Sequence, residues 1–206
     1  MRTMIAVPCM DMVHTLFFTS MLKLKKPEGT EVAVSSSSLI YDARHVLAHK
    51  AIKDGFDRVL WLDSDMHFEP DLLERLAADL DQGLEFVTAL YFTRKNPVRP
   101  CVYEICHNVP NAHGKMEPTA KSFKEIPNGL FEIEGCGFGA VMMTVDLIRR
   151  TGELPFFPKG GYGEDFTFCR KARDAGAKLY CDGRIKVDHV GVSLINETTW
   201  NEARKE

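Results

Sequence analysis

Four short runs rich in apolar or β-branched residues, Met4–Val7, Glu31–Val34, Val59–Leu62 and Phe86–Ala89, recur along the first half of the chain. They are closed by Pro8, by the serines Ser35–Ser38, by acidic residues or by a change of pattern, and read as strands. Between them, Val13–Leu24 spaces its apolar side chains as a helix does, and Ile40, Ala43, Val46, Leu47 and Ala51 do the same before Gly55. Leu72, Leu73, Leu76 and Leu80 form a third helical face between Pro70, which suits a first turn, and Gly83. Strands alternating with helices at this interval predict an α/β domain, with a mostly parallel central sheet flanked by helices. The reason is that parallel neighbours need a crossover, and a helix supplies it. Ligands of such sheets gather at the carboxyl ends of the strands.

The third strand runs into two acids, in VLWLDSDMHFEPD. Residues two apart on an extended backbone share a face, so Asp63 and Asp65 converge if the strand continues through them. Converging carboxylates repel unless a proton or a cation lies between them. A hard divalent ion such as Mg2+ or Mn2+ takes oxygen ligands and leaves positions for water or phosphate. The local alternative starts a loop at Asp63 and Ser64 and puts Asp65 in a turn, places that Asp and Ser both favour.

With 206 residues and 45% hydrophobic content, the chain suits one domain over residues 1–206 with a sizeable core. The net charge of −3 excludes a protein that is basic throughout, although Arg94–Lys124 and Arg149–Lys178 lean basic while Lys53–Glu85 is acidic. MRTMIAVPCMDMVHTLFF has no apolar core leading to a small-residue cleavage site. No apolar run approaches the ~20 residues of a membrane span, so a soluble, cytoplasmic protein is expected. Its six scattered cysteines then stay reduced, and Cys101, Cys106, His107 and His113 match no strong zinc spacing. Gly135, Gly137 and Gly139 lead into a strand-like AVMMTV, so they form no dinucleotide fingerprint, and no P-loop pattern occurs.

The second half has a different texture. Arg94–Asn128, with five prolines, reads as an irregular excursion containing short strands, and Leu130–Glu134 and Gly139–Val145 return to strand character. In KGGYGEDFTFCRKARDAGAKL a glycine-rich loop precedes a helix that opens on Glu164 and Asp165 and ends at Gly176. Acids in a first turn suit the helix dipole. Lys178–Cys181 and Ile185–Val187 then read as short strands, followed directly by Asp188 and His189.

Four segments in order, VLWLDSDMHFEPDLLERL, TALYFTRKNPVRPCVYE, EGCGFGAVMM and GEDFTFCRKARDAG, resemble glycosyltransferases of the GT-A fold. The likeness is greatest to the compact, stand-alone, family 2-like transferases of bacterial and phage genomes. It implies a Rossmann-like single domain with a smaller acceptor-side excursion, in which residues 1–93 bind the nucleotide sugar and 94–206 form the acceptor-side and catalytic half. It also implies a nucleoside diphosphate sugar donor, with UDP favoured, and a divalent ion, Mn2+ or Mg2+, that bridges the two phosphates. On this resemblance the metal set is Asp63, Asp65 and His189: Asp65 ligates the ion directly, Asp63 touches the ribose or a metal-bound water, and His189 completes the set. Pro8, Cys9, Asp42, Arg44, Asp63 and Ser64 belong to the nucleotide site, with Arg44 pairing the diphosphate and Arg94 a weaker candidate. Asp165 matches the family's general base, with Glu164 as understudy or acceptor-positioning group, and inversion is the favoured outcome. The dipole of the helix start is expected to keep Asp165 ionised and only modestly basic.

The acceptor stays open among a glycan, a lipid-linked sugar, a protein side chain and a modified nucleic-acid base. The 94–128 excursion and the Phe156–Tyr162 loop are the expected lining of its pocket. Two other classes compete. A metal-dependent nucleotidyltransferase also uses paired carboxylates, but MIAVPCMDMVH lacks its usual glycine-rich signature. A non-catalytic carbohydrate-binding module has no need of a metal set and an activated carboxylate together.

Overall fold

In the computed structural model, which describes residues 1–94 and 97–191, the first half alternates as the apolar spacing predicts. It contains β1 (Thr3–Cys9), α1 (Thr15–Lys23), β2 (Thr30–Ser36), α2 (Ile40–Lys53), β3 (Arg58–Leu62), β4 (Met66–His67), α3 (Leu72–Leu80) and β5 (Phe86–Leu90). The second half holds β6 (Val102–Pro110), β7 (Met116–Ser122), β8 (Leu130–Ile133), β9 (Gly135–Cys136) and β10 (Ala140–Thr144). It continues with α4 (Val145–Arg150), α5 (Glu164–Asp174), β11 (Leu179–Lys186) and β12 (Asp188–His189). Lys95 and Asn96 of the TALYFTRKNPVRPCVYE motif, and residues 192–206 of the acceptor-side half, lie outside the described residues.

Seven strands form the main sheet in the order β2-β1-β3-β10-β5-β11-β8. β1 runs parallel to β2 and β3, and β5 runs parallel to β11. β10 enters between β3 and β5 antiparallel to both, and β8 lies antiparallel to β11. Five of the seven strands therefore share one direction, and the sheet is mostly parallel. β1, β3, β5 and β10 carry almost no exposed positions because both of their faces are covered, whereas the edge strand β2 is largely exposed. Met4 and Ala6 of β1 join Leu47, Ala48 and Ala51 of α2 on one side, while Ile5 and Val7 meet Phe17 of α1 and the leucines of α3 on the other. Leu72, Leu73, Leu76 and Leu80 are all buried, and each contributes about 2 kcal/mol of apolar transfer.

Three readings are corrected by the structure, two by long-range pairing and one by a local helix cap. Much of the 94–128 stretch is regular: over residues 102–122, β6 and β7 form a long antiparallel hairpin, with β9 on the other side of β6. Its turn is built by Asn111, whose Oδ1 accepts from the N–H groups of His113 and Lys115, and by Gly114 at φ +75°. Pro118 sits in β7 at the edge of that sheet, where a missing N–H breaks no ladder. The two short strands expected at 178–187 are one strand, β11, whose register shifts between Asp182 and Lys186. Val145, expected in a strand, instead opens α4, whose first turn is capped where Thr144 Oγ1 accepts from the Leu147 N–H at 3.2 Å.

The spaced glycines serve close approach. Tyr91, directly after β5, lies against the connection between β9 and β10, and its hydroxyl oxygen accepts from the Gly139 N–H at 3.2 Å. A Cβ on Gly137 would collide with the Tyr91 hydroxyl, and one on Gly139 would stand 2.8 Å from the Tyr91 Cζ. A Cβ on Gly135 would stand 2.9 Å from the Cys106 Sγ. Gly137→Ala should therefore destabilise the fold by about 1–3 kcal/mol, as overpacking does. Removing the hydroxyl as well, in Gly137→Ala with Tyr91→Phe, should recover part of that loss. Denaturant midpoints of the single and double variants test it, and a wild-type midpoint for Gly137→Ala would show that Tyr91 is free to move.

Candidate active site

Where β3 stops decides what the two acids can do. The Asp63 N–H donates to the Gly139 carbonyl at 3.1 Å, and the Met66 N–H donates back to the Asp63 carbonyl at 3.2 Å, so the chain turns through Asp63, Ser64 and Asp65. The acids do not share a strand face, and the convergence expected from strand geometry is replaced by the turn. Each carboxylate has its own cation: Asp63 Oδ1 lies 2.8 Å from Arg44 Nη2, and Asp65 Oδ2 lies 2.7 Å from Arg94 Nη1.

Arg44 projects from α2 into the core with only 2% of its side chain exposed. Its guanidinium lies 5.9 Å from the Trp61 ring and 5.2 Å from the Phe138 ring, and its Nε is 3.5 Å from Glu164 Oε1. Burial alone would lower its pKa, but Asp63, Glu164 and Asp165 outweigh burial and raise it. The expected free arginine for a diphosphate is thus already paired with protein carboxylates, because its depth in the core demands partners. Loss of water around Asp63 pushes its carboxyl up, and Arg44 counters that only in part.

His189 reaches the same corner from β12. β12 pairs antiparallel with β4, setting His189 opposite Met66, and the Val190 N–H donates to the Asp65 carbonyl at 2.9 Å. The His189 Nδ1 is 3.0 Å from the Phe92 carbonyl, and its Nε2 is 3.5 Å from Asp65 Oδ2. A carbonyl only accepts, so Nδ1 carries the proton in that bond. In the neutral ring the Nε2 lone pair then faces a carboxylate oxygen, an arrangement relieved by a shared cation or by a second ring proton. The tautomer is the one a metal-binding histidine needs, with its other nitrogen held by a carbonyl. Burial tends to raise the Asp65 carboxyl, but the His189 bond and the charges of His189 and Arg94 outweigh it and hold the group below its usual value. Among the described residues no group of three or more His, Cys, Asp or Glu side chains is close enough to hold a metal ion. Asp65 and His189 fit a divalent ion as a two-ligand set, which phosphate oxygens and water can complete. Asp63, expected in that set, is engaged by Arg44 instead.

Asp165 opens α5, where Oδ1 accepts from the Phe166 N–H at 2.7 Å. Its carboxyl is pushed up to about 7, chiefly by burial and then by the neighbouring Glu164, and the Phe166 N–H and Arg44 pull down less strongly. The expected ionised, modest base is corrected here: burial overrides the helix start, and the group titrates near neutrality, where a general base works best.

Two adjoining cavities surround these groups. The larger, about 480 Å³, lies at the carboxyl ends of β1 and β3 and is lined by Pro8, Cys9, Ser38, Arg44, Asp63, Ser64, Asp65 and Glu164. The smaller, about 260 Å³, is lined by Tyr91, Thr93, Cys101, Tyr103, Gly137, Asp165 and Phe166. Arg94 and His189 line both. Asp42 is exposed in the first turn of α2 and lines neither. Phe156, expected near the acceptor, is fully buried and stacks on Phe168 at 4.8 Å, so it belongs to the core. Tyr162 is tied to the β6–β7 hairpin, donating to Asn108 Oδ1 at 3.0 Å and accepting from the Thr119 N–H at 3.1 Å. Sequence reasoning did not single out Tyr91, Tyr103 and Phe166. The glycines that admit Tyr91 were the available signal, and Tyr103 and Phe166 meet edge to face at 4.7 Å.

No protein-family model matches the chain, and no curated protein matches its sequence. Solved structures do. A197 from STIV is similar over 93% of this chain and 87% of its own, with 21% identity and a TM-score of 0.69. GalNAc-T7, in its crystal structure with UDP, GalNAc and Mn2+, is similar over 92% of this chain, with 12% identity and a TM-score of 0.61. This chain spans 44% of that GalNAc-T7 chain. At such identities the likeness establishes the fold alone: the chain has a GT-A, Rossmann-like α/β fold.

Proposed function

We propose that the protein is a divalent-metal-dependent glycosyltransferase, which moves a sugar from a nucleoside diphosphate sugar to a hydroxyl acceptor with inversion. The observation that carries this reading is the position of His189, which faces Asp65 with its Nε2 at the wall common to two cavities, the smaller of which holds Asp165. The GalNAc-T7 structure contains UDP and Mn2+, which supports a UDP-linked donor and Mn2+ or Mg2+ here. Imidazole beside carboxylate favours Mn2+ of the two.

The donor's nucleoside diphosphate occupies the larger cavity, against Pro8, Cys9, Ser38 and Ser64, at the strand ends where α/β sheets bind ligands. Asp65 and His189 would hold the divalent ion, which would supply Lewis-acid stabilisation to the leaving diphosphate. The acceptor enters the smaller cavity, where Tyr103 and Phe166 offer aromatic surface. Asp165 takes the proton of the acceptor hydroxyl as it attacks the face of the sugar opposite the leaving group, which inverts the anomeric centre. Arg44 anchors Glu164 and so fixes the first turn that carries Asp165. On this reading residues 1–93 form most of the donor side, and 94–206 supply the acceptor side and the base. No helix of the described residues is long and apolar enough to cross a membrane. Six free, buried cysteines suit the reducing cytoplasm.

Incubation with a panel of nucleotide sugars and Mn2+ should release a nucleoside diphosphate. Asp65→Ala should abolish that release and His189→Ala should reduce it severely. Calorimetry with UDP should show binding that depends on Mn2+, and equal affinity in EDTA would refute the metal-dependent reading.

Because Asp165 must be ionised to accept a proton, the transfer rate should rise with pH through about 7. Asp165→Asn should lower the rate by about 10²-fold or more, abolish that acidic limb and leave donor binding intact. A product with the donor's anomeric configuration, read by NMR, would remove Asp165 from this role.

A further inference from the structure

We infer that Arg94 is an internal counter-cation: it covers the ion-binding oxygen of Asp65 in the free protein and passes to the donor's diphosphate when metal and nucleotide enter together. The inference rests on the metal-dependent reading above and adds an order to the site.

Arg94 Nη1 lies 2.7 Å from Asp65 Oδ2, the same oxygen that His189 Nε2 faces at 3.5 Å. The guanidinium therefore occupies the Asp65 oxygen that an ion shared with His189 would need. A second contact, from Nη1 to the Val190 carbonyl at 3.3 Å, holds it there. Its stem lies along Gly191, where an added Cβ would stand 3.4 Å from both Cγ and Cδ. The side chain is nevertheless 49% exposed and lines both cavities, so it can leave Asp65 without leaving the site.

Charge decides the sequence of events. Asp63 is matched by Arg44 and Asp65 by Arg94, so a lone divalent ion meets a carboxylate that already has a cation. An ion that arrives with a nucleoside diphosphate brings anionic oxygens, and these can take the guanidinium in paired, charge-assisted hydrogen bonds. Each ligand then favours the other, and the coupling is reciprocal. Arg94 is a positioning residue in this scheme.

Mn2+ binding to the full chain, followed by electron paramagnetic resonance with and without UDP, tests the inference. Wild type should bind Mn2+ about 10-fold or more tightly when UDP is present, within the usual range of such couplings. Arg94→Met should bind Mn2+ alone about 10-fold more tightly than wild type and lose most of the UDP effect, with Arg94→Lys in between. A site disturbed only structurally would bind metal less well. Unchanged or weaker binding of Mn2+ alone by Arg94→Met would overturn the inference, while UDP-dependent binding by wild type would leave the metal-dependent reading standing. Absence of Mn2+ binding by wild type even with UDP would overturn both.

Discussion

One buried guanidinium organises the acidic corner of this protein. Arg44 is almost without water, and a charge in that position persists only with partners. Three carboxyls surround it, and it makes close contacts with two, Asp63 and Glu164. Asp165 feels the guanidinium only from a distance, while burial and the Glu164 charge both act against its ionisation. Its proton is therefore retained up to about pH 7. The raised Asp165 carboxyl thus follows first from burial and then from the Glu164 charge, which Arg44 offsets only weakly.

The sheet brings these acids together through a strand that runs against its neighbours. β10 lies antiparallel between β3 and β5, so its amino-terminal end meets the carboxyl ends of both. That end carries Gly139, whose carbonyl holds the Asp63 N–H and whose N–H reaches Tyr91. A single glycine thus links the wall of the larger cavity to the floor of the smaller one. Glycine loses more conformational freedom on folding than other residues, and at Gly139, just before β10, that loss permits a backbone approach that any side chain would block.

Much of this was legible in the sequence, for a physical reason that varies from element to element. The order of strands and helices in the first half follows from local apolar spacing, and α3 could be read from four leucines alone. Asp65, His189 and Asp165 stood out together only through a resemblance to a known family, and the structure sets them along two adjoining cavities. Long-range pairing was not legible. The turn at Asp63 depends on a carbonyl from Gly139, and the β6–β7 hairpin declares itself only once its strands have met. Phe156 looked like ligand-facing aromatic surface because sequence does not report that Trp61, Phe138 and Phe168 enclose it. Asp165 looked ionised because the helix dipole is a local effect, whereas the burial that overrides it is tertiary.

The acids at the end of β3 therefore do different work, and the depth of their cations explains which does what. Removing the partner of a buried ion pair leaves an uncompensated charge and typically costs about 3–5 kcal/mol, whereas an exposed pair is worth about 0–1 kcal/mol. Arg44 belongs to the first case, with 2% exposure, and Arg94, with 49%, lies close to the second. An incoming cation can displace Arg94 far more readily than Arg44. Asp63 is consequently fixed as part of the scaffold that positions the turn, and Asp65 is left as the exchangeable carboxylate of the pair. Two like charges end a buried strand because each has a separate arginine, and only one of those arginines is placed to yield.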